Sequence, residues 1–130
     1  MEKMRKIVVA IVQHEGKILM LRSKEKEGNL RWRFPGGEVE QDETEGKAAC
    51  REVAEETGIV CRPTRKLGER AHPSTKRIVS YYVCDFIDGN TALKEPYKFD
   101  KIAWLTPLEV FNNVTSSIFR PVKDYLRSLS

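Results

Sequence analysis

Three glutamates in the middle of the chain have a spacing that could support metal chemistry. Glu52, Glu55 and Glu56 stand at positions i, i+3 and i+4, so on a helix their carboxylates project together. Arg51, four residues before Glu55, is the one basic side chain of that helix placed to relieve their repulsion. Magnesium takes oxygen ligands and usually binds through one or two carboxylates plus substrate phosphates. The cluster therefore predicts a Mg²⁺ site, with a solvated acidic helix face as the alternative.

A glycine pair precedes the glutamates and strengthens this interpretation. Gly36 and Gly37 lie in the segment Phe34-Pro35-Gly36-Gly37-Glu38. Paired glycines permit unusual backbone angles and the close approach of a ligand or metal to a main-chain carbonyl. The loop and the acidic helix together predict a functional site.

The helix that must carry the carboxylates is the clearest secondary-structure prediction. Residues 44–57 are rich in Glu, Ala, Lys and Arg, and Gly58 stands where a C-cap glycine belongs. A helical wheel places the three glutamates on a face well away from the core-facing side. That side is predicted to consist of Ala49, Cys50, Val53, Ala54 and Thr57.

The remaining elements predict a mixed sheet covered by helices, in one α/β or α+β domain spanning residues 1–130. Strands are predicted at residues 7–12, 18–21, 59–67, 78–87 and 102–105, with a short aromatic segment at 32–34. Loops or breaks are predicted at 23–31, 35–37 and 88–90. Pro107 fits the first turn of a helix. A last helix is predicted at 115–129, with Thr115 or Ser116 as its N-cap. Pro121 argues against an uninterrupted helix there.

Composition excludes some functional classes and leaves others open. Hydrophobic residues make up 40% and charged residues 32% of the 130-residue chain, which is typical of a globular protein. We expect no membrane span, because no apolar run approaches about 18 residues. The net charge of +4, spread without a Lys/Arg block, suits a phosphate-rich small ligand and weak nucleic-acid contact equally well.

The cysteines favour a simple structural role. Cys50, Cys61 and Cys84 are odd in number and form no CxxC or Cys/His pattern with zinc-ligand spacing. We therefore expect small buried thiols rather than a structural zinc site, in a reducing, cytoplasmic compartment.

The motif residues resemble a known family. Gly37, Glu43, Arg51-Glu52-Val53, Glu55-Glu56 and Gly58-Ile59 reproduce the Nudix box, G-x5-E-x7-R-E-U-x-E-E-x-G-U with U apolar, without a departure. Such a match should arise by chance on the order of once in a million chains or less. The resemblance continues upstream through Trp32-x-Phe34-Pro35-Gly36-Gly37. It implies the Nudix α/β/α sandwich over nearly the whole chain and a hydrolase of the MutT-like branch.

The resemblance also implies roles for individual residues. Glu52 and Glu56 would be direct Mg²⁺ ligands, with Mn²⁺ as a substitute, and Glu55 a further ligand or the group that orients metal-bound water. A main-chain carbonyl of the glycine pair would join them, from Gly36 in preference to Gly37. Arg51 and Glu43 would pair and position the carboxylates. Glu95 is the candidate for the late glutamate that reaches the metal in MutT-like members.

The implied reaction is hydrolysis of a phosphoanhydride bond in a nucleoside diphosphate-linked small molecule. The favoured substrate is an ordinary or oxidised nucleoside triphosphate, cleaved to monophosphate and pyrophosphate. Alternatives are ADP-sugars, dinucleoside polyphosphates, RNA 5′ ends, or a nucleotide sensor that does not cut.

Two residues outside the box are candidates for substrate binding. Arg22 could contact phosphates or simply face solvent, and Phe34 could stack on a base or pack in the core. The basic segment 70–77 is the loop most suited to vary with substrate, and otherwise is a solvated turn. No asparagine gives a clean match to a base-reading residue, and the sequence predicts no oligomeric state.

Overall fold

The chain begins with the predicted hairpin. The computed structural model describes residues 5–24, 30–114 and 117–129. Strands β1 (Ile7–His14) and β2 (Lys17–Lys24) pair antiparallel. Their turn uses Glu15 and Gly16, with φ angles of 51° and 78°. Left-handed backbone at both turn positions matches the twist of the flanking strands, which explains why a glycine stands there.

The strands form one seven-stranded mixed sheet, as predicted. The other strands are β3 (Leu30–Arg33), β4 (Gly36–Glu38), β5 (Val60–Ala71), β6 (Ile78–Asp88) and β7 (Phe99–Leu105). The order is β3-β2-β1-β6-β5, with β4 paired to β1 and β7 paired to β2. Only the β1·β6 pairing is parallel among the strand pairs of the described ranges.

Helix α1 (Glu45–Thr57) confirms the predicted acidic helix. Its N-cap is Thr44, whose hydroxyl accepts a hydrogen bond from the Lys47 N–H at 3.2 Å. Gly58 ends the helix in a left-handed conformation with φ 79°, and its N–H donates to the Ala54 carbonyl at 3.0 Å. Both ends are therefore defined by local chemistry.

Two further helices follow the sheet. Helix α2 (Pro107–Asn113) begins with a capping box between Thr106 and Glu109, so the role of Pro107 is confirmed. Helix α3 (Arg120–Ser128) is shorter than predicted and carries Pro121 in its first turn, where proline causes no break. Its N-cap residue is Phe119, and the predicted caps Thr115 and Ser116 lie outside the described residues.

The sheet is covered on both faces, which confirms the predicted sandwich. Along β1, Val8, Ala10 and Val12 pack with α1 in one core, while Ile11 packs with α2 and α3 in the other. Such alternation is what a strand buried on both faces requires. No helix in the described part of the chain is long and apolar enough to cross a membrane.

Some predicted boundaries were wrong. Residues 35–37 were predicted to interrupt regular structure, but Gly36 and Gly37 pair with Val9 and Val8 of β1. A Cβ at position 36 would lie 2.3 Å from the Val8 carbonyl oxygen, so strands β1 and β4 can approach this closely only where β4 has a glycine. The predicted loop at 23–31 is also shorter, since its first and last described residues extend β2 and β3.

Candidate active site

Glu56 occupies the buried end of the acidic cluster. Its residue surface is only 5% exposed, and its Oε1 accepts a hydrogen bond from the Gly36 N–H at 3.0 Å. The prediction that all three glutamates stand well away from the core was therefore wrong for Glu56. The predicted core-facing side of the helix included Ala54, which is exposed, and left out Ala48, which is buried. Strand β4 packs beside Glu52 and Glu56, which explains why Glu56 is buried.

Gly37 provides the space for the Glu52 carboxylate. A Cβ at position 37 would lie 2.5 Å from both Cδ and Oε2 of Glu52, and 2.8 Å from Oε1. These distances are far below ordinary carbon contacts of about 3.5–4.0 Å. The glycine pair thus contributes twice, because Gly36 binds Glu56 and Gly37 leaves room for Glu52.

Arg51 organises the carboxylates around it. Its guanidinium donates two hydrogen bonds to Glu43, at 2.7 and 3.0 Å, and one each to Glu52 at 2.8 Å and Glu55 at 3.2 Å. A further bond reaches the Glu38 carbonyl at 2.9 Å. The arginine beside Glu43 lowers the pKa of that carboxyl to about 2. Arg51 and Glu43 are together as predicted, and the pair connects α1 to the loop before it.

Glu95 approaches the cluster from the segment between β6 and β7. Its negative charge raises the pKa of both Glu52 and Glu56. One oxygen, Oε2, accepts a hydrogen bond from the Tyr97 hydroxyl at 3.3 Å. The other, Oε1, is buried, and among the described residues no donor lies within hydrogen-bond distance of it. Glu95 therefore acts electrostatically on both glutamates, and its role as a late metal ligand stays a prediction.

The cluster is electrostatically uncompensated at its buried end. Burial raises the pKa of Glu56 to about 7, and the charges of Glu52 and Glu95 add to this, against the opposing Gly36 N–H and Arg33. Burial likewise raises the pKa of Glu52, against the Arg51 hydrogen bond. Several carboxylates around a buried one, with a Glu95 oxygen that has no hydrogen-bond donor among the described residues, suit a hard divalent cation. Glu55 differs from Glu52 and Glu56 in its exposure to solvent, because its side chain is 52% exposed.

The two residues predicted to bind substrate have different surroundings. Arg22 makes a two-pronged ion pair with Asp100 of β7, with both nitrogen–oxygen distances at 2.9 Å. Its guanidinium is thus engaged within the sheet, and a phosphate contact stays a prediction. Phe34 lines a cavity of about 570 Å³ and also packs on the α2/α3 core, which combines the two roles considered for it.

The cavity is lined by described residues other than the clustered glutamates. Arg33 connects the two, since it lines the cavity and its charge lowers the pKa of Glu56. Arg70 forms part of the opposite wall, where it donates to the Tyr81 hydroxyl at 3.1 Å and lies 5.3 Å above the Phe119 ring. Further lining residues are Trp32, His72, Arg77 and Ile118. The space is of the size that holds a small-molecule ligand.

Sequence reasoning missed most of this cavity. The basic segment 70–77 had been singled out and does contribute to the lining. Tyr81 and Phe119, however, belong to a strand and a helix cap that read as ordinary core positions. The alternation of β6 was the available signal, because Tyr81 points to the same side as Val79 and Val83.

Comparison with known proteins identifies the family. The model of the NUDIX domain matches residues 3–125. The chain belongs to the Nudix family. This Nudix protein is 30% identical over 108 residues to the CTP pyrophosphohydrolase of Escherichia coli K12, covering 82% of this chain and 79% of that protein. It is 38% identical over 77 residues to the 8-oxo-(d)GTP phosphatase of Mycolicibacterium smegmatis, covering 57% of this chain and 23% of that protein.

Solved structures agree with the fold. A MutT Nudix hydrolase from Burkholderia pseudomallei superposes with a TM-score of 0.75 at 22% identity, covering 99% of this chain and 100% of that one. The E. coli ORF135 protein gives 0.72 at 26% identity, covering 96% and 87%. The predicted family and sandwich are confirmed, and this Nudix hydrolase acts on nucleoside diphosphate-linked small molecules.

Proposed function

We propose that this Nudix hydrolase cleaves a nucleoside triphosphate, ordinary or oxidised, to a monophosphate and pyrophosphate with the help of Mg²⁺. The observation that carries the proposal is the link between two features through Arg33, which lines the cavity and acts electrostatically on Glu56. On one side lie the carboxylates of Glu52, Glu56 and Glu95, of which Glu56 is the most deeply buried. On the other lies a cavity with aromatic and arginine walls. Two relatives whose names specify CTP and 8-oxo-(d)GTP support a triphosphate substrate.

The residues proposed to hold the ion are Glu52, Glu56 and Glu95, with a main-chain carbonyl of Gly36 or Gly37. Their donors are oxygens, as Mg²⁺ prefers, and Mn²⁺ would be accepted by the same set. When bound, the ion would neutralise charge on the phosphate oxygens and lower the pKa of a bound water. The rest of the reaction depends on groups that the chain itself supplies.

The proton-accepting group is proposed to be Glu55. In the reaction a water oxygen attacks phosphorus, one phosphoanhydride P–O bond breaks, and the water gives up a proton. Glu55 is the most exposed carboxylate of the cluster, and Arg51 holds its Oε2 at 3.2 Å. Because Arg51 also donates to Glu43 and Glu52, it would keep Glu55 oriented while leaving hydrogen-bonding capacity on the Glu55 carboxylate to accept a proton. Arg51 and Glu43 thus act as positioning residues.

The cavity is proposed to hold the nucleoside part of the substrate. Phe34 offers an aromatic wall for a base, and such stacking contributes roughly 1–3 kcal/mol. Arg70 offers hydrogen-bond donors within an aromatic surround of Tyr81 and Phe119. Because the guanidinium already donates to Tyr81 and to the Ser117 carbonyl, its orientation is held. The cavity therefore supports recognition of a base through both stacking and polar contacts.

The test is a product screen with Mg²⁺ on the wild-type chain and on Glu56→Gln. The panel contains ordinary and oxidised nucleoside triphosphates, ADP-ribose, dinucleoside polyphosphates and 5′-triphosphorylated RNA, with products separated by chromatography. Monophosphate plus pyrophosphate, lost in the variant, would support the proposal and identify the base. Preference for ADP-ribose, a dinucleotide or RNA would replace it with that substrate class. Binding without turnover of any compound would favour a sensor.

A further inference from the structure

The three cysteines of the chain meet at one point in the fold. Cys50 lies on α1, Cys61 on β5 and Cys84 on β6. Their three sulfur atoms all lie within 4.8 Å of one another. Cys50 is within hydrogen-bond reach of both other thiols. Separate elements far apart in sequence therefore deliver three soft donor atoms to a single place.

The surroundings of the sulfurs are apolar. Cys61 and Cys84 are 7% and 0% exposed and belong to the core between α1 and the sheet. Cys50 packs against that core and is only partly buried. Cys61 and Cys84 thus lie deep in the core, and Cys50 is the least buried of the three residues.

We propose that this group, the Cys50/Cys61/Cys84 site, binds a thiophilic d¹⁰ cation of the Zn²⁺, Cd²⁺ and Cu⁺ class. Zinc–sulfur bonds measure about 2.3 Å, so three sulfurs arranged trigonally around one ion lie about 4.0 Å apart. The three sulfurs lie within 4.8 Å of one another, an upper limit that includes this spacing. With Zn²⁺ or Cd²⁺, three thiols lose three protons and the ion gains three thiolates, giving a complex of net charge −1.

The site is chemically separate from the carboxylate cluster, although both involve α1. Carboxylate and carbonyl oxygens select hard cations such as Mg²⁺, whereas thiolates select soft ones. Cys50 lies on the side of the helix that packs on β5 and β6, and Glu52 points to Gly37 of β4. Packing alone explains three small buried residues, but it does not require three sulfurs to converge. A bound ion would link α1 to the β5–β6 hairpin.

Titration with Cd²⁺ tests the proposal directly. The full chain is first reduced and stripped of metal, and is then titrated with Cd²⁺ in millimolar Mg²⁺. The Mg²⁺ competes with Cd²⁺ for the carboxylates. We expect an ultraviolet thiolate-to-cadmium charge-transfer band that saturates at one equivalent, and a rise in the thermal midpoint, because the ion binds only the assembled site. In Cys50→Ala we expect the affinity for Cd²⁺ to fall by about 100-fold or more. Loss of a residue that only orients a metal ligand would lower the affinity by roughly 10–100-fold.

Two controls keep the outcomes distinct. Cys50→Ala changes the least buried of the three residues, and circular dichroism checks that it folds. The variant Glu52→Gln/Glu56→Gln should retain the charge-transfer band, which separates this site from the proposed catalytic one. Absence of the band, unchanged affinity in Cys50→Ala, or loss of the band in the glutamine variant would each overturn the proposal. So would a metal-free disulfide detected by mass as the stable form under the titration conditions.

Discussion

Replacing Gly37 with alanine should damage catalysis while leaving the fold intact. The new Cβ would lie 2.5 Å from the Glu52 carboxylate carbon. Carbon atoms in contact lie about 3.5–4.0 Å apart, so the carboxylate must withdraw by about 1.0–1.5 Å. The obstructing atoms are the end of a flexible side chain, and the backbone of Gly37 does not have a left-handed φ. The change should therefore cost little stability.

The expected effect on turnover follows from that displacement. A misplacement of about 1 Å at a reacting centre costs on the order of 100-fold in rate, or about 2.7 kcal/mol of barrier. We therefore expect kcat with saturating Mg²⁺ to fall about 100-fold in Gly37→Ala, measured on the best substrate of the product screen. Urea unfolding should give a midpoint near that of the wild type.

Two other glycines supply matched controls. In Gly36→Ala the Cβ would meet the Val8 carbonyl oxygen at 2.3 Å, so backbone must move and about 1–3 kcal/mol or more of stability should be lost. In Gly16→Ala nothing lies within 4 Å, but φ is +78°, so about 1–2 kcal/mol should be lost with unchanged kcat. Near-normal kcat in a folded Gly37→Ala would refute the role assigned to Glu52.

Three further predictions concern the same region. Glu56→Gln should fold and lose about 100-fold or more in kcat, because it removes a metal-bound charge with little volume. Mg²⁺ affinity should fall as the pH drops below about 7, because that is the pKa of Glu56 in the metal-free protein. Binding of Mg²⁺ near this pH should release a proton, which calorimetry in two buffers detects. Glu56→Gln should abolish this proton release. Phe34→Ala should raise KM for the nucleotide about 5-fold or more through lost stacking, with a smaller change in kcat, whereas Phe34→Leu should be milder. A kcat loss that exceeds the KM effect would contradict the assignment of Phe34 to the base.

The parts of the fold that follow from local chemistry were predictable from sequence. Thr44 and Gly58 define the ends of α1 through the Thr44 side chain and the backbone freedom of Gly58. Gly58 was predicted as the C-cap, and Thr44 was predicted as the first residue of the helix rather than as its N-cap. Glu15 and Gly16 similarly determine the first hairpin turn. The Nudix box could be read directly because its residues cluster on one helix and the loop before it.

The parts that depend on distant contacts were not predictable. Gly36 and Gly37 become a strand only because β1 offers them a partner. Asp100 engages Arg22 across two strands that no local pattern joins. The cysteines lack any metal-binding spacing and converge only once α1 packs on β5 and β6. In each case the deciding interaction lies between residues tens of positions apart.

The burial of Glu56 links catalysis to stability. An unfolded glutamate has a pKa of about 4.3, whereas folding raises the pKa of Glu56 to about 7. A raised carboxyl pKa gives a contribution that is fully present below the unfolded pKa and is lost as the pH rises through the folded one. The metal-free protein should thus lose about 2–3 kcal/mol through this group between pH 5 and pH 8. Since Glu56→Gln carries no such charge, the variant expected to be least active should be the more stable form at neutral pH without metal. The cost lies in the folded state itself, where burial disfavours the charged form of Glu56 and the charges of Glu52 and Glu95 add to the effect. A divalent cation is the ligand that would offset it.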